Sequence, residues 1–416
     1  MAAAVERGVG GKKRKTAAAA SGLGELHDDM LEGVLARLPP ASYFRLRGVC
    51  RRWRAAAASS TFRAACARAP ARDPWFLMLS DAENQERRRR PASAAVVFDS
   101  AERAWARWRG APGAAPVAAA GGLVLYRDPS SGELTVANPL TGASRALPPP
   151  PPPSAAGALH AVAMYGSPYR VVLVLGELPN LSMVEFDSSK NAWGAAAALS
   201  RKPEASPRDR AAEDGDDDAV FFLSKSGDVV TTNMQRSASR QYSSAVVCGG
   251  GGGEDAVVYF LSHSGTVVAC DLARRAFAEL PRILPVYHEY SIDVVACDGG
   301  AYVVVLSEHL DTASLRVWEF AGGAWRQVAA MPPSMSHSFY GKKADVNCVG
   351  HGDRVMVCVS SPEAGAGAGG CFMCDVRTNR WAELPPRRAG AGAGGDGEAT
   401  DFVAAVSFEP RMEVAV

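Results

Sequence analysis

The sequence predicts an α+β multidomain chain: a small three-helix module near the front, followed by an all-β propeller, with seven blades favoured and six the alternative. Three observations carry this reading. Residues 26–54, LHDDMLEGVLARLPPASYFRLRGVCRRWR, join helix-spaced apolar residues to an Arg-dense stretch. The segment FLSKSGDVVTTNM (222–234) is nearly copied by FLSHSGTVVACDL (260–272), 38 residues further on. An acidic or amide residue followed six positions later by an aromatic recurs between Asp99 and Trp381.

Bulk properties set the limits. A chain of 416 residues with 47% apolar content can bury a sizeable core, divided among a basic tail (1–24), the helical module (25–70) and the β domain (74–416). Net charge is +1, which argues against nucleic-acid binding, but it is unevenly spread. Residues 1–72 hold 14 Lys and Arg against 5 Asp and Glu, so the front is about +9 and the remainder about −8. No run of about 18 uncharged apolar residues is present, so no membrane span is expected. The N-terminus lacks the apolar core of a secretory signal. Lys12, Lys13, Arg14 and Lys15 form a basic cluster that reads either as a nuclear-import address or as a solvated tail. The nine scattered cysteines suit a reducing nucleus or cytoplasm. Cys371 and Cys374 form a C-x-x-C with no second pair at zinc-ligand distance, so they read as packed thiols and no metal or cofactor is expected.

In the helical module, Leu26, Met30, Leu31, Val34, Leu35 and Leu38 recur at helical spacing. Asp28 and Asp29 suit the positive N-terminal end of that helix. Pro39-Pro40 stops it, because proline lacks an amide hydrogen and clashes with the preceding turn. Residues 41–46 and 49–58 fit two more short helices. Three short helices cannot bury all of these large side chains among themselves, so an apolar partner is expected.

These residues resemble an F-box. Leu26, the acidic pair, Leu31, Val34-Leu35, Leu38-Pro39, Phe44-Arg45-Leu46, Val49-Cys50 and Arg52-Trp53 stand at that motif's spacing. The resemblance implies docking on a Skp-type adaptor and, through it, on a cullin ubiquitin ligase. The implied docking residues are Leu26, Leu31, Leu35, Leu38, Pro39, Leu46, Val49, Cys50 and Trp53. One position departs: the family usually has Leu-Pro where this chain has Leu26-His27, which implies a weaker hold on the adaptor.

In the β domain, the anchor residues are Asp99, Asn138, Asp187, Asn233, Asp271, Glu319 and Asp375. Five are followed by an aromatic six positions on: Trp105, Trp193, Phe277, Trp325 and Trp381. Leu280-Pro281, Met331-Pro332 and Leu384-Pro385 follow in turn. Gly-rich turns precede strand-like runs at 121–122, 249–253, 299–300 and 350–352. The unit is about four strands with a tight acidic turn before the last, which is a propeller blade. The acidic residue can accept turn amides, and the aromatic can pack between blades as core. WFLML (75–79) opens the first blade, and the tail FVAAVSFEPRMEVAV supplies a closing strand. The pattern in CDGGAYVVVL, RVWEFAGGAWRQVAAMP and CFMCDVRTNRWAELP resembles the kelch repeats of plant F-box/kelch proteins, the group that includes the Hawaiian skirt and Unusual floral organs proteins.

Loops and chemistry complete the reading. Arg87–Arg90 is a basic loop, 207–218 an acidic one, and Pro148–Pro153 a stiff spacer. No nucleophile elbow, zinc-protease or phosphate-loop motif is present, and the seven histidines are dispersed. Tyr287-His288-Glu289-Tyr290 and His337-Ser338-Phe339-Tyr340 read as recognition or packing clusters. The resemblance therefore implies a non-catalytic substrate-recognition subunit of an SCF-type ligase, whose propeller binds an unknown protein for ubiquitination. The alternative is a non-degradative scaffold or transcriptional co-regulator that tethers a partner protein.

Overall fold

The structure, a computed structural model, describes residues 26–416 except 47, 57–58, 81–94, 109–113, 152–157, 203–220, 224–228, 232–243, 249–254, 263–264, 284–289, 310, 343, 361–369 and 386–401. The chain forms two compact units, Met1–Pro70 and Ala71–Val416. The basic cluster at 12–15, Arg87–Arg90, the acidic loop, Asn233 and residues 287–289 lie outside the described residues.

The first unit has four helices: α1 (Asp28–Ala36), α2 (Pro40–Leu46), α3 (Arg51–Ala56) and α4 (Ser60–Ala67). The sequence pattern gave three. The fourth escaped it because STFRAACA carries only two large core residues, Phe62 and Cys66. It forms because Ser59 caps it, its hydroxyl accepting the Phe62 amide at 2.9 Å, and because it packs against α1. The Ser59 hydroxyl also donates to buried Glu32 at 2.7 Å. Phe62 stacks on Tyr43 with ring centroids 5.3 Å apart, and with Leu31, Leu35 and Ala36 these side chains make the module's core. Pro40 opens α2 at the first helical position, where its missing amide hydrogen costs nothing.

The second unit is a six-bladed propeller, with blades of four antiparallel strands running from inside to outside. The inner strands of blades 1 to 6 are Phe402–Phe408, Ala115–Ala120, Leu159–Tyr165, Ala245–Cys248, Tyr290–Cys297 and Asp345–His351. Each touches the next and the last touches the first, so the ring is closed. The seventh blade expected around Asn233 is absent from the described residues. Only a two-stranded hairpin, Phe221–Leu223 with Val229–Thr231, stands there, within the connection from blade 3 to blade 4. The near-copied segments thus have different fates. Residues 260–261 and 267–271 belong to the second and third strands of blade 4, whereas the described strands Phe221–Leu223 and Val229–Thr231 pair only with each other.

The remaining six anchors fall one per blade. At five of them the side chain closes the turn before the outer strand. Asp99 accepts the amides of Ala101 (2.9 Å) and Glu102 (3.1 Å), and Asn138 those of Leu140 (3.0 Å) and Thr141 (3.3 Å). Asp187, Asp271 and Asp375 accept the amides of Ser189, Arg274 and Thr378 at 2.8–3.0 Å. Four residues beyond each of these anchors the backbone turns left-handed, at Arg103, Gly142, Asn191, Arg275 and Asn379. Glu319 is the exception: its carboxylate accepts from Arg326, and Gly322-Gly323 make the turn instead.

The aromatic residues join neighbouring blades. Trp105, Trp193 and Trp325 each lie opposite a phenylalanine of the third strand, with ring centroids 4.9–5.3 Å apart. Each indole N–H donates to the carbonyl of a proline leaving the preceding blade: Trp105 to Pro385 (2.7 Å), Trp193 to Pro148 (2.7 Å) and Trp325 to Pro281 (2.6 Å). The residue before each proline is a buried leucine (Leu384, Leu147, Leu280) whose amide donates back to its own blade at 2.8 Å. Three boundaries differ: that between blades 1 and 2 has Ser144 at the aromatic's position, and the other two use other devices. Asn379 Oδ1 accepts from both Trp381 (3.2 Å) and the Ala330 amide (3.0 Å), bridging blades 5 and 6. The ring of Phe277 has no N–H to donate, and there the strand Ser200–Arg201 pairs in parallel with Ala276–Phe277.

Closure comes from the tail. Phe402–Phe408 pairs with Trp75–Ser80, and the chain then crosses blade 2. Asn138, fully buried, donates to the carbonyls of Arg411 (2.9 Å) and Val414 (2.8 Å). Arg72, at the start of the propeller, donates its amide to Glu409 (2.8 Å) and its guanidinium to the Pro410 carbonyl (2.9 Å). Since successive strands alternate in direction, the first-to-second and third-to-fourth turns share one side of the ring. These are short and hold the six described anchor turns, whereas the described ends of the connections between blades, at 148–151, 194–202 and 331–342, lie on the other side.

Asn138 is the anchor whose amide, as well as its oxygen, is used. Asn138→Asp turns two donors into acceptors facing carbonyls and should cost about 2–4 kcal/mol. The reverse change, Asp187→Asn, keeps the turn-accepting oxygen and should cost under about 1 kcal/mol. Denaturant unfolding of the full chain measures both.

Candidate functional site

The helical module carries the surface that stands out. Met30, Val34 and Val49 are 61%, 43% and 68% exposed, and in the described residues only one other large apolar side chain, Tyr340, is comparably exposed. On α1 two ridges at four-residue spacing run side by side. Leu31 and Leu35 face inward at 1% and 0% exposure, whereas Met30 and Val34 face solvent, in line with half-buried Leu38. A helix that is apolar on both sides has one side without a partner.

The implied docking residues therefore separate by environment. Leu31 and Leu35 are core and can act in docking only by holding α1 in shape. Leu26, Leu38, Pro39, Leu46 and Trp53 are half-buried, and Val49 and Cys50 are exposed. The Cys50 sulfur also accepts the Trp53 amide at 3.5 Å, standing where a serine would cap α3. Met30 and Val34 were not among the implied docking residues. Their helical spacing was visible, but which apolar ridge faces outward is decided by α4.

The first turn of α1 exposes Asp28 and Asp29, and the other exposed charges around this patch are cationic. Arg37, Arg45, Arg51 and Arg54 are exposed, whereas Arg52 is half-buried and pairs with Asp28 at 2.7 Å, tying α3 to the start of α1. Arg52 also donates to the Leu26 carbonyl. Such a surface fits a partner with an apolar centre and an acidic rim. His27 precedes α1 with φ −59° and ψ 151°, and its carbonyl accepts the Leu31 amide at 2.9 Å. That φ is the value a proline ring imposes, so the path into the helix survives without the proline.

The propeller's central cavity, about 380 Å³, is walled by the inner strands of all six blades and largely by alanine, valine and glycine. Its main polar groups are engaged. The Ser407 hydroxyl donates to the Gly350 carbonyl (2.8 Å) and lies 3.3 Å from His351 Nδ1. Burial pushes the His351 pKa down. Cys358 and Cys371 face each other across blade 6 with sulfurs 3.5 Å apart, and burial pushes the neighbouring Cys374 thiol up to about 12. Among the described residues no group of three or more His, Cys, Asp or Glu is placed to hold a metal ion. His337 stacks on Tyr340 with centroids 6.1 Å apart, and Phe339 between them is buried, so that cluster packs against blade 5 and blade 6 residues.

Two family models match the chain: the F-box domain over residues 23–64 and the KIB1-4 beta-propeller over residues 97–344. The propeller match therefore carries a different description from the kelch pattern that the sequence resembles. The chain is 40% identical over 409 residues to "F-box only protein 13" of Arabidopsis thaliana, covering 94% of this chain and 85% of that protein. It is 33% identical over 129 residues to "F-box only protein 6" of the same plant, covering 30% of this chain and 26% of that one. Among solved structures, TolB from Acinetobacter baumannii aligns at 11% identity and a TM-score of 0.38, over 86% of this chain and 73% of that one. A likeness at that level adds nothing to the fold already described.

The split between the two ridges of α1 is open to measurement. Leu35→Ala should cost about 2–5 kcal/mol and erase hydrogen-exchange protection across residues 28–67 of the full chain. Val34→Ser and Val49→Ser should leave that protection unchanged, within about 0.5 kcal/mol.

Proposed function

The chain belongs to the plant F-box proteins that carry a KIB1-4-type β-propeller, and from that premise we propose that it is the substrate-recognition subunit of an SCF-type (Skp–cullin–F-box) ubiquitin ligase. The observation that carries this reading is the outward apolar ridge of Met30 and Val34, with Val49, on a small module that matches the F-box. A module with this much unpartnered apolar surface gains most by burying it against another protein. The partner is a Skp-type adaptor, and Leu38, Pro39, Leu46 and Trp53 border the same contact.

In this reading the chain makes and breaks no covalent bond. Its mechanism is proximity: one unit holds the adaptor, the other holds a protein substrate, and the substrate's local concentration beside a charged conjugating enzyme rises. The kelch-like character of the repeats rests on the spacing of the acidic turn, the aromatic and the Leu-Pro segment, and it concerns blade construction rather than the bound substrate. The basic cluster Lys12, Lys13, Arg14 and Lys15 supports a nuclear as well as a cytoplasmic location. A second reading, a scaffold that tethers a regulator without degrading it, is favoured by His27 replacing the family's usual proline.

Co-purification with a plant Skp-type adaptor tests the first reading. Val34→Glu with Val49→Glu should weaken adaptor binding about 100-fold or more with the propeller intact, and Leu38→Ala with Pro39→Ala should abolish capture. Undiminished capture by both variants refutes the assignment. A reconstituted ligase separates the scaffold reading: adaptor binding without ubiquitin transfer to a captured protein would favour tethering. Replacing all four basic residues at 12–15 by alanine should move a fluorescent fusion from nucleus to cytoplasm, and an unchanged distribution removes the import reading.

A further inference from the structure

Two of the chain's nine cysteines meet in blade 6. Cys358 and Cys371 lie directly opposite each other on its second and third strands, Arg354–Ser360 and Gly370–Asp375. Their sulfurs are 3.5 Å apart, with the Cys371 thiol donating to the Cys358 sulfur. The strand register explains the closeness. The Cys371 carbonyl accepts the Leu384 amide at 2.8 Å, so the backbone groups of Cys371 point toward the outer strand and away from Cys358. The two cysteines are therefore a non-hydrogen-bonded pair, the class in which antiparallel Cα atoms approach to about 4.5 Å and side chains stand closest. A disulfide needs Cα atoms about 4.4–6.8 Å apart, so these strands can take one where they stand.

The pair faces blade 1, at the boundary where the ring closes. Cys358 is buried and Cys371 half-buried, in a cluster with Phe76, Met78 and Phe98 of that blade. Cys374 is three positions from Cys371 and so takes the opposite face of the strand, where it is buried with Val295 and Val317 of blade 5. The C-x-x-C of the sequence thus splits across the sheet, and the sulfurs that meet are 13 positions apart. Burial pushes the thiols of Cys270, Cys297 and Cys374 up to about 12, which makes them poor nucleophiles. Cys371 keeps partial contact with solvent, whereas Cys358 needs none, because its reaction partner is the sulfur already touching it.

We propose that Cys358 and Cys371 form a redox-modification site, in which a hydroperoxide oxidises the pair to a reversible disulfide within blade 6. With hydrogen peroxide, the Cys371 sulfur attacks one oxygen, an S–O bond forms, the O–O bond breaks, and the other oxygen leaves as water with the thiol proton. The Cys358 sulfur then displaces the hydroxyl from Cys371. An S–S bond forms, the S–O bond breaks, and the hydroxyl leaves as a second water with the Cys358 proton. The two thiols lose two electrons and two protons, and the peroxide takes up both. A dithiol reductant returns them and reopens the bond. In a reducing compartment such a bond is transient, which is the behaviour of a sensor rather than of a structural cross-link. This site goes beyond the ligase reading and does not depend on it.

Peroxide treatment of the full chain, followed by unfolding in a thiol-blocking reagent, digestion without reductant and mass spectrometry, tests the site. Cys358 and Cys371 should lose the blocking label together and appear as one joined peptide pair, lighter by two hydrogen atoms and separated again by dithiothreitol. Cys270, Cys297 and Cys374 should keep their label at the same dose. In Cys358→Ser the Cys371 sulfenic acid has no thiol opposite it and should accumulate as a dimedone adduct, whereas Cys371→Ser should give no adduct at Cys358. The cross-link map of the natural protein stands whether or not either variant folds. Three results would overturn the proposal: Cys358 and Cys371 both keeping their label at a dose that oxidises exposed Cys50 and Cys248, either of them joined mainly to another cysteine, or Cys374 losing its label as early as Cys371. A dimedone adduct at Cys358 in Cys371→Ser would overturn the order of attack.

Discussion

The pairing of Phe402–Phe408 with Trp75–Ser80 is the constraint on which the propeller depends. Without it blade 1 has three strands and an open inner edge, and the inner strands of blades 2 and 6 each lose a neighbour. An open ring exposes two strand edges, each a row of unpaired amides and carbonyls. The tail adds a second fastening. Asn138 holds it from blade 2 and Arg72 from the start of the domain, so the beginning and the end of the β chain are bound to each other by side chains as well as by backbone.

Between blades the joints are repeated and local. A leucine sits in the core, the proline after it turns its carbonyl outward, and the next blade's indole N–H takes that carbonyl. The same tryptophan packs on a phenylalanine of its own blade, so one side chain serves two sheets. This explains why Trp and Leu-Pro stay at a fixed distance from the acidic turn while loops elsewhere vary in length. Two of the three boundaries lacking the joint use another device: a shared asparagine at Asn379 and an added parallel strand at Ser200–Arg201.

Much of this was legible in the sequence because it is local. An anchor residue and the turn it closes are separated by a few positions, and an aromatic strand follows at once. What was not legible depends on distant partners. Asn233 looks like an anchor, but a blade needs four strands and only a hairpin stands near it, so seven became six. The helix at Ser60–Ala67 carries two large core residues and a serine cap, too little apolar periodicity to announce itself. Its absence from the sequence reading also hid which ridge of α1 faces outward, because Leu31 and Leu35 turn in to meet it and leave Met30 and Val34 exposed. The amide at Asn138 reads as an ordinary variant of aspartate until the tail carbonyls are seen opposite it.

Closure by the last strand also has a consequence in time. During synthesis the helical module leaves the ribosome first, and more than 300 residues must follow before Phe402–Phe408 emerges to complete blade 1. At about 5–20 residues per second that interval lasts roughly 15–70 s. Throughout it, an uncapped ring and an apolar-faced module share one nascent chain. The order of translation therefore leaves the outward apolar ridge of Met30 and Val34 displayed for that whole interval, before blade 1 can close.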